Sequence, residues 1–375
     1  MTPRVLIDAA AVPADRGALI RYVDGLVAAL HEAGADLAVV CQRADAERYG
    51  KMAPSATILS GPATLTNRSK RLVWEQTGLP LLARQAGAEV IHAPYYSIPL
   101  RSGLPTVATV HDLTSFTDPD QHDPARASFF RSATRTAVRY ANRVIVPSKA
   151  TREELVRVLG ADPTRIDVAY HGVDPALFHP PSDREVRRVA DRVGLHGHPY
   201  VAYLGLLEPR KNVANLIRGF GGAVAHLASP PALVLAGGPA WDEEVNAALA
   251  ALPPKAKVLR PGYLPFSDLR GFLGGALVVA LPSRGEGFGL PVLEAMACGA
   301  PVLTTHRSSL PEVGGEAVAY TEPDIDGIAA ALRALLESPD RRAALSEAGV
   351  DRAQEFTWQR SAEAHLVSYQ RAVGG

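Results

Sequence analysis

Two carboxylates eight residues apart, Glu286 and Glu294, flank a glycine-rich turn in the segment LPSRGEGFGLPVLEAMACGAP, residues 281–301. An apolar run ends at Pro282, Gly287 and Gly289 punctuate the turn, and Pro291 falls where a first helical turn would begin. Glycines let backbone N–H groups approach a ligand, and a helix start adds unpaired N–H groups with partial positive charge. The segment therefore suits a phosphate, or is an ordinary tight turn. At the carboxyl end of a strand the two carboxylates would face one cleft and bind two sets of hydroxyls. Glu294, expected in the first helical turn, would equally serve as a charge at a helix N-terminus. A second strand-to-helix junction, YLGLLEPRKN at residues 203–212, carries Arg210 and Lys211. An arginine grips two phosphate oxygens and a lysine adds a point charge, so the pair would neutralise a diphosphate; the alternative is a solvated basic turn.

The elements that must position these residues alternate along the whole chain. Short β-branched runs bounded by Gly, Pro or Asp are interleaved with amphipathic helical stretches, the pattern of parallel sheets covered on both faces. In the first half the expected strands are 5–8, 37–41, 90–92, 106–111, 144–147 and 166–170, with helices such as 20–32, 126–141 and 149–159 between them. The alternation restarts with strands 200–205, 232–237, 257–260, 277–282 and 301–305. The reading is an α/β protein of two Rossmann-like parallel-sheet domains, residues 1–180 and 181–357, separated at the stiff segment Phe178-His179-Pro180-Pro181-Ser182. The last helix, about 358–375, can pack on either half.

Composition bounds the partners. With 375 residues, 47% of them hydrophobic, the chain can bury more than one core. Lys plus Arg and Asp plus Glu both number 39, so no global field gathers nucleic acid, and any basic surface must be local. Cys41 and Cys298 lie far apart in apolar stretches, which favours a reducing compartment over a disulfide framework. The start MTPRVLIDAAAVPADRG enters a strand-like run without a signal-peptide layout. The longest apolar run, of about 11 residues, is short of the ~20 that span a bilayer. The expectation is a cytosolic protein, peripheral to a membrane at most.

These segments carry a family resemblance. GLLEPRKN (205–212), Ala236-Gly237-Gly238, EGFGLPVLE (286–294) continuing to Pro301, and SLPEV (309–313) together resemble the nucleotide-sugar domain of the family-4 retaining glycosyltransferases, which have the GT-B fold of two Rossmann-like domains facing a deep cleft. The resemblance implies transfer of a sugar from a nucleotide-diphosphate donor with retention of configuration and no required metal or other cofactor. It implies that Arg210 and Lys211 bind the diphosphate, Glu286 contacts the transferred sugar and Glu294 holds the donor ribose. Backbone at Phe288, Gly289 and Leu290 would meet sugar or phosphate, Gly237 would bind the donor, and the loop of Gly262, Tyr263 and Leu264 would lie by the base. Many relatives carry an arginine where this chain has Leu206, which leaves more of the phosphate charge to Arg210 and Lys211.

In the first half, His111 of TVHDL (109–113) resembles the family's histidine near the donor sugar; read alone, it is a histidine at a strand's carboxyl end, where structural roles are also common. DRGALIRY (15–22) resembles the family's glycine-rich loop toward the donor phosphates. Gly17 is kept, while Ala18 and Ile20 replace glycines. Trp74, Tyr95, Tyr96 and Asp112 offer aromatic and polar groups for an acceptor, or surface and core packing. Their segments resemble the mannosyltransferase B-like subgroup, which points to GDP-mannose, with a UDP-sugar as the other donor. Glycan, lipid-linked and small-molecule acceptors all remain open.

Arg131, Arg135, Arg139 and Arg143 recur every four residues beside Phe129 and Phe130 on one expected helix, suiting an anionic membrane surface or a solvated face. Asp118-Pro119-Asp120 and Asp324-Ile325-Asp326 match the Asp-x-Asp pattern of metal-using transferases. One is split by proline in a loop and the other opens a helix, so no metal site is expected. Two other readings remain: a glycoside hydrolase using Glu286 and Glu294, which leaves the basic pair unexplained, and a catalytically silent nucleotide-sugar binder.

Overall fold

A computed structural model of the chain describes residues 2–11, 17–238 and 243–374. It divides into two compact units, one of residues 1–119, 123–172 and 356–375, the other of residues 120–122 and 173–355. The first unit's main body thus ends at Gly172, and the Pro180-Pro181 segment lies inside the second unit.

The first unit holds seven strands: β1 (Val5–Asp8), β2 (Leu37–Cys41), β3 (Thr57–Ser60), β4 (Val90–Ala93), β5 (Thr106–Thr109), β6 (Arg143–Val146) and β7 (Ile166–Val168). They form one parallel sheet in the order β3-β2-β1-β4-β5-β6-β7. Strands β1, β2, β4 and β5 are buried at every position, as expected of a parallel sheet covered on both faces. Alternate residues part to opposite sides: Val5 and Ile7 join a core with Tyr22 and Leu26, and Leu6 joins one with Leu65 and Leu79.

The C-terminal helix Trp358–Gly374 packs on this sheet beside the helix Ala18–Glu32. Gly25 lets the two approach, because a Cβ there would lie 2.2 Å from the Trp358 ring. A buried polar chain ties the helix down. Thr109 Oγ1 is 2.8 Å from both the Tyr22 hydroxyl and His92 Nε2, Tyr22 meets His365 Nε2 at 2.9 Å, and His92 Nδ1 meets the Tyr369 hydroxyl at 2.8 Å.

The second unit holds β8 (Tyr200–Leu204), β9 (Ala232–Ala236), β10 (Val258–Gly262), β11 (Val278–Leu281), β12 (Val302–Thr305) and β13 (Ala319–Thr321), parallel in the order β10-β9-β8-β11-β12-β13. In each sheet the strand order reverses at one point, between β1 and β4 in the first and between β8 and β11 in the second. Ligands of open parallel sheets sit outside the carboxyl ends of the strands at such a reversal.

Two edge strands, β3 and β13, were not expected from the sequence; both are short and only partly buried. The expected helix 126–141 runs from Pro124 to Tyr140, and Arg143 is not on it. It opens β6 and forms an ion pair with Asp167 of β7, so the four-residue arginine series ends at Arg139. Among the described residues no helix is long and apolar enough to cross a membrane.

Candidate active site

Arg210 and Lys211 follow β8 in a single 3-10 turn, Pro209–Lys211. Asn212 then adopts φ 61°, the left-handed conformation in which asparagine is one of the more tolerant residues, and caps the helix Val213–Val224. Its side-chain amide donates to the Pro282 and Pro323 carbonyls, fastening the turn to the loop after β11. The Arg284 N–H donates to the Arg210 carbonyl at 3.0 Å, so the two loops that flank the strand-order reversal are joined through backbone as well.

Glu286 lies between them. Its Oε1 accepts from Lys211 Nζ at 2.5 Å and from Ser283 Oγ at 2.7 Å, and its Oε2 accepts from Arg210 at 3.1 Å. The three charged side chains are only 13 to 16% exposed, so solvent screens the cluster weakly. Burial pushes the Glu286 pKa up, but the Lys211 and Arg210 charges outweigh it and hold the carboxyl at about 2. Ser309 Oγ donates to the Glu286 carbonyl, which fixes the loop from its other side.

Glu208 completes the cluster. It is buried, and its Oε2 accepts from Arg210 at 3.3 Å. Two carboxylates thus balance two cations at this strand-order reversal. The sequence assigns no role to Glu208, Ser283 or Ser309, although Glu208 and Ser309 lie in segments that carry the resemblance.

After Glu286 the turn closes at Gly289, whose φ of 99° and approach to Leu310 leave little room for a side chain, and the helix Leu290–Ala297 begins. Phe288 and Leu290 are buried and anchor the turn. Glu294 is not in the first helical turn: it is the fifth residue of this helix and 2% exposed, so a solvent-facing charge at a helix N-terminus does not describe it. Gly237 is required, since a Cβ would fall 1.8 Å from the Gly205 carbonyl oxygen. A Cβ on Gly238 would lie 2.6 Å from both Leu206 and the Tyr263 hydroxyl, which puts Leu206, Gly238 and the exposed Tyr263 in one patch at the strand ends; Leu264 follows, half-buried.

In the first unit, His111 sits two residues past β5, its Nε2 donating to the Pro94 carbonyl at 2.8 Å. Burial lowers its pKa, so the ring is neutral with Nδ1 as acceptor. Tyr96, at φ 62°, packs in the core and its hydroxyl accepts from the Asp112 N–H, while Asp112 Oδ1 accepts from Thr114. Tyr95 is half-buried edge-on to Phe130, and Trp74 packs against the core that contains Leu65 and Leu79. Gly17 caps the helix Ala18–Glu32 with open space around it, and Ile20 turns into the core. Asp15, Arg16 and the side chain of Ala18 lie outside the described residues. Asp324 caps the helix Ile325–Glu337. Among the described residues no cluster of three or more His, Cys, Asp or Glu is placed to hold a metal ion.

Two family profiles cover most of the chain: "Glycosyltransferase Family 4" matches residues 20–177 and "Glycosyl transferases group 1" matches residues 189–352. The chain is 29% identical to O-antigen chain mannosyltransferase B of Escherichia coli over 282 residues, 75% of this chain and 74% of that one. It is 32% identical to D-inositol 3-phosphate glycosyltransferase of Kineococcus radiotolerans over 305 residues, covering 75% of this chain and 68% of the relative. Anabaena HepE, solved in complex with UDP-glucose, superposes with a TM-score of 0.75 at 18% identity over 97% of this chain and 98% of that one. The two parallel sheets are those of the GT-B fold, and the chain belongs to the family-4, group 1 glycosyltransferases.

Proposed function

We propose that this glycosyltransferase takes its sugar from a nucleotide-diphosphate donor, GDP-mannose or a UDP-sugar, held on the second sheet between the loops after β8 and β11. The observation that carries this reading is the Arg210, Lys211 and Glu286 cluster at the carboxyl ends of two strands where the order reverses. The diphosphate is met by Arg210 and Lys211, with N–H groups at the start of the helix Leu290–Ala297 adding partial positive charge. Glu294 holds the ribose, and the patch of Gly237, Leu206, Tyr263 and Leu264 adjoins the base. Mannose is favoured by the likeness to the mannosyltransferase; UDP-glucose bound to HepE keeps the uridine donor open.

The leaving nucleotide departs as a stable anion once these cations receive its charge, so no strong protein acid and no metal is required. A phosphate oxygen freed as the glycosidic bond breaks accepts the proton of the acceptor hydroxyl on the same face, which retains the anomeric configuration. Glu286 stays ionised, orients the sugar hydroxyls and stabilises the developing positive charge at the anomeric carbon. His111, on the first unit, carries an acceptor nitrogen, and the family resemblance gives it the role of contacting the sugar. Tyr95, Asp112 and Trp74 belong to the acceptor side. The acceptor is a glycan, a lipid-linked sugar or a small polyol, and Arg131, Arg135 and Arg139 suit contact with the inner face of a membrane. A silent sugar-nucleotide binder is the second reading, favoured by Leu206 in place of arginine. Proton NMR of freshly formed product tests the reading: an anomer matching the donor supports it, an inverted anomer refutes retention, and donor binding without any transfer supports the silent binder.

A further inference from the structure

A groove of about 880 Å3 lies on the first unit beside the edge strand β7, between the helix Lys149–Leu159 and the C-terminal helix. Its apolar lining includes Val156, Ile166, Val168 and the exposed Val367. Its charged lining is basic on balance, with five cations and two carboxylates. Asp167 is shared by Arg143, which binds both of its oxygens at 2.6 and 2.8 Å, and by Arg371 at 2.8 Å, so one carboxylate serves two guanidinium groups. Arg152 gives one N–H to the Pro163 carbonyl, a neutral partner, with Glu153 in the same lining. Arg157 stands exposed on the same helix, five residues further along.

The chain as a whole has 39 basic and 39 acidic residues, so this surplus is a local concentration. Like charges gathered around an apolar concavity repel one another, and an anion with a carbon body relieves both costs. The volume falls within the range of small-molecule sites. Strand addition to β7 is disfavoured, because β7 offers only three residues and such docking draws its affinity from main-chain pairing. The proposed donor chemistry uses none of these residues.

We propose that this groove is a second binding site, for a phosphate ester: Lys149, Arg152 and Arg157 donate to the phosphate oxygens, and the carbon body of the ester lies on Val156, Val168 and Val367. The ester comes either from a soluble metabolite or from a lipid headgroup, and the test has an arm for each.

The probes are monomeric dihexanoyl phosphatidic acid, inorganic phosphate, and vesicles of phosphatidylglycerol in phosphatidylcholine, applied to the full chain. The short-chain ester is expected to bind saturably, about tenfold or more weaker to the Arg152→Glu/Arg157→Glu variant from lost charge-assisted contacts, and severalfold weaker to Val367→Asp. Melting temperature and nucleotide-sugar binding are expected to stay at the parent's values. If the double variant misfolds, Arg157→Gln alone supplies the same comparison at smaller amplitude. Vesicle binding that the variant loses assigns the ester to a membrane lipid; ester binding without vesicle binding assigns it to a soluble compound. Equal binding by parent and variants, no binding of any probe, or inorganic phosphate binding as tightly as the ester overturns the proposal.

Discussion

Lys211 Nζ stands 2.5 Å from Glu286 Oε1, so a carboxylate engages the cation that the proposed diphosphate would meet. Arg210 is likewise engaged, by Glu286 at 3.1 Å and Glu208 at 3.3 Å. On the proposed reading, an arriving diphosphate shares or displaces these carboxylates, and a carboxylate released from the cations turns to the sugar.

Glu286→Gln separates the two roles. The amide keeps the shape but no longer offsets Arg210 and Lys211, so donor binding is expected to be unchanged or tighter. Turnover falls by roughly 10²- to 10³-fold, the scale of losing one preorganised electrostatic contact to the transition state. Steady-state kinetics beside donor titration checks this; weaker donor binding with turnover preserved would assign Glu286 a binding role only.

Turnover is expected to persist in excess chelator, because in the proposed site Arg210 and Lys211 would supply the positive charge that a divalent ion supplies elsewhere. The check is an initial-rate assay in EDTA with and without added magnesium or manganese. Activity that vanishes in EDTA and returns with metal contradicts the proposed leaving-group chemistry.

Buried histidines make the first unit sensitive to acid. Burial lowers the pKa of His92 and His171, and brings His365 to about 4, against about 6.5 unfolded. A lowered folded pKa means that the unfolded chain binds more protons, so this stability is present above pH ~6.5 and is lost as pH falls toward 4. Asp8, raised by burial to about 6, and Glu75, raised by burial to about 7, act in the opposite sense and stabilise at low pH. His365→Gln isolates one term: from pH 7 to pH 5 it should lose about 2 kcal/mol less than the parent, at about 1.4 kcal/mol per pH unit. Urea unfolding at the two pH values measures it, and equal losses in both proteins would contradict the assignment.

Gly25→Ala probes how the C-terminal helix is held. A methyl group would sit inside the Trp358 ring, so the helices Ala18–Glu32 and Trp358–Gly374 must separate, at a cost of about 1 to 3 kcal/mol. Thermal melting reads the loss, and an unshifted melting temperature would show that the tryptophan moves aside freely.

The strands that carry the site were legible because parallel strands buried on both faces read as continuous apolar runs, as VVAL of β11 and YVAYL of β8 do. The edge strands β3 and β13 were not, since TILS and AYT are short and partly exposed and lack that run. Arg143 matched a four-residue helical spacing with Arg131, Arg135 and Arg139, but periodicity does not record that the helix stops at Tyr140 and the chain re-enters the sheet two residues after Ala141. The Arg210, Lys211 and Glu286 segments stood out by residue type and resemblance, whereas their mutual ion pairing came only from the fold, which brings residues 75 positions apart into contact. Glu208 is hidden for a local reason: an acid beside a proline has no meaning until Arg210, two residues on, turns back onto it.

Isothermal titration of GDP-mannose and UDP-glucose into the parent, Arg210→Ala and Lys211→Ala, all in EDTA, tests the donor site most directly. The parent is expected to bind at least one of the two, and each variant to bind it with about 1.5 to 3 kcal/mol less free energy, roughly 10- to 150-fold, while still melting cooperatively. Variants that bind the donor as tightly as the parent would contradict the placement of the diphosphate on Arg210 and Lys211.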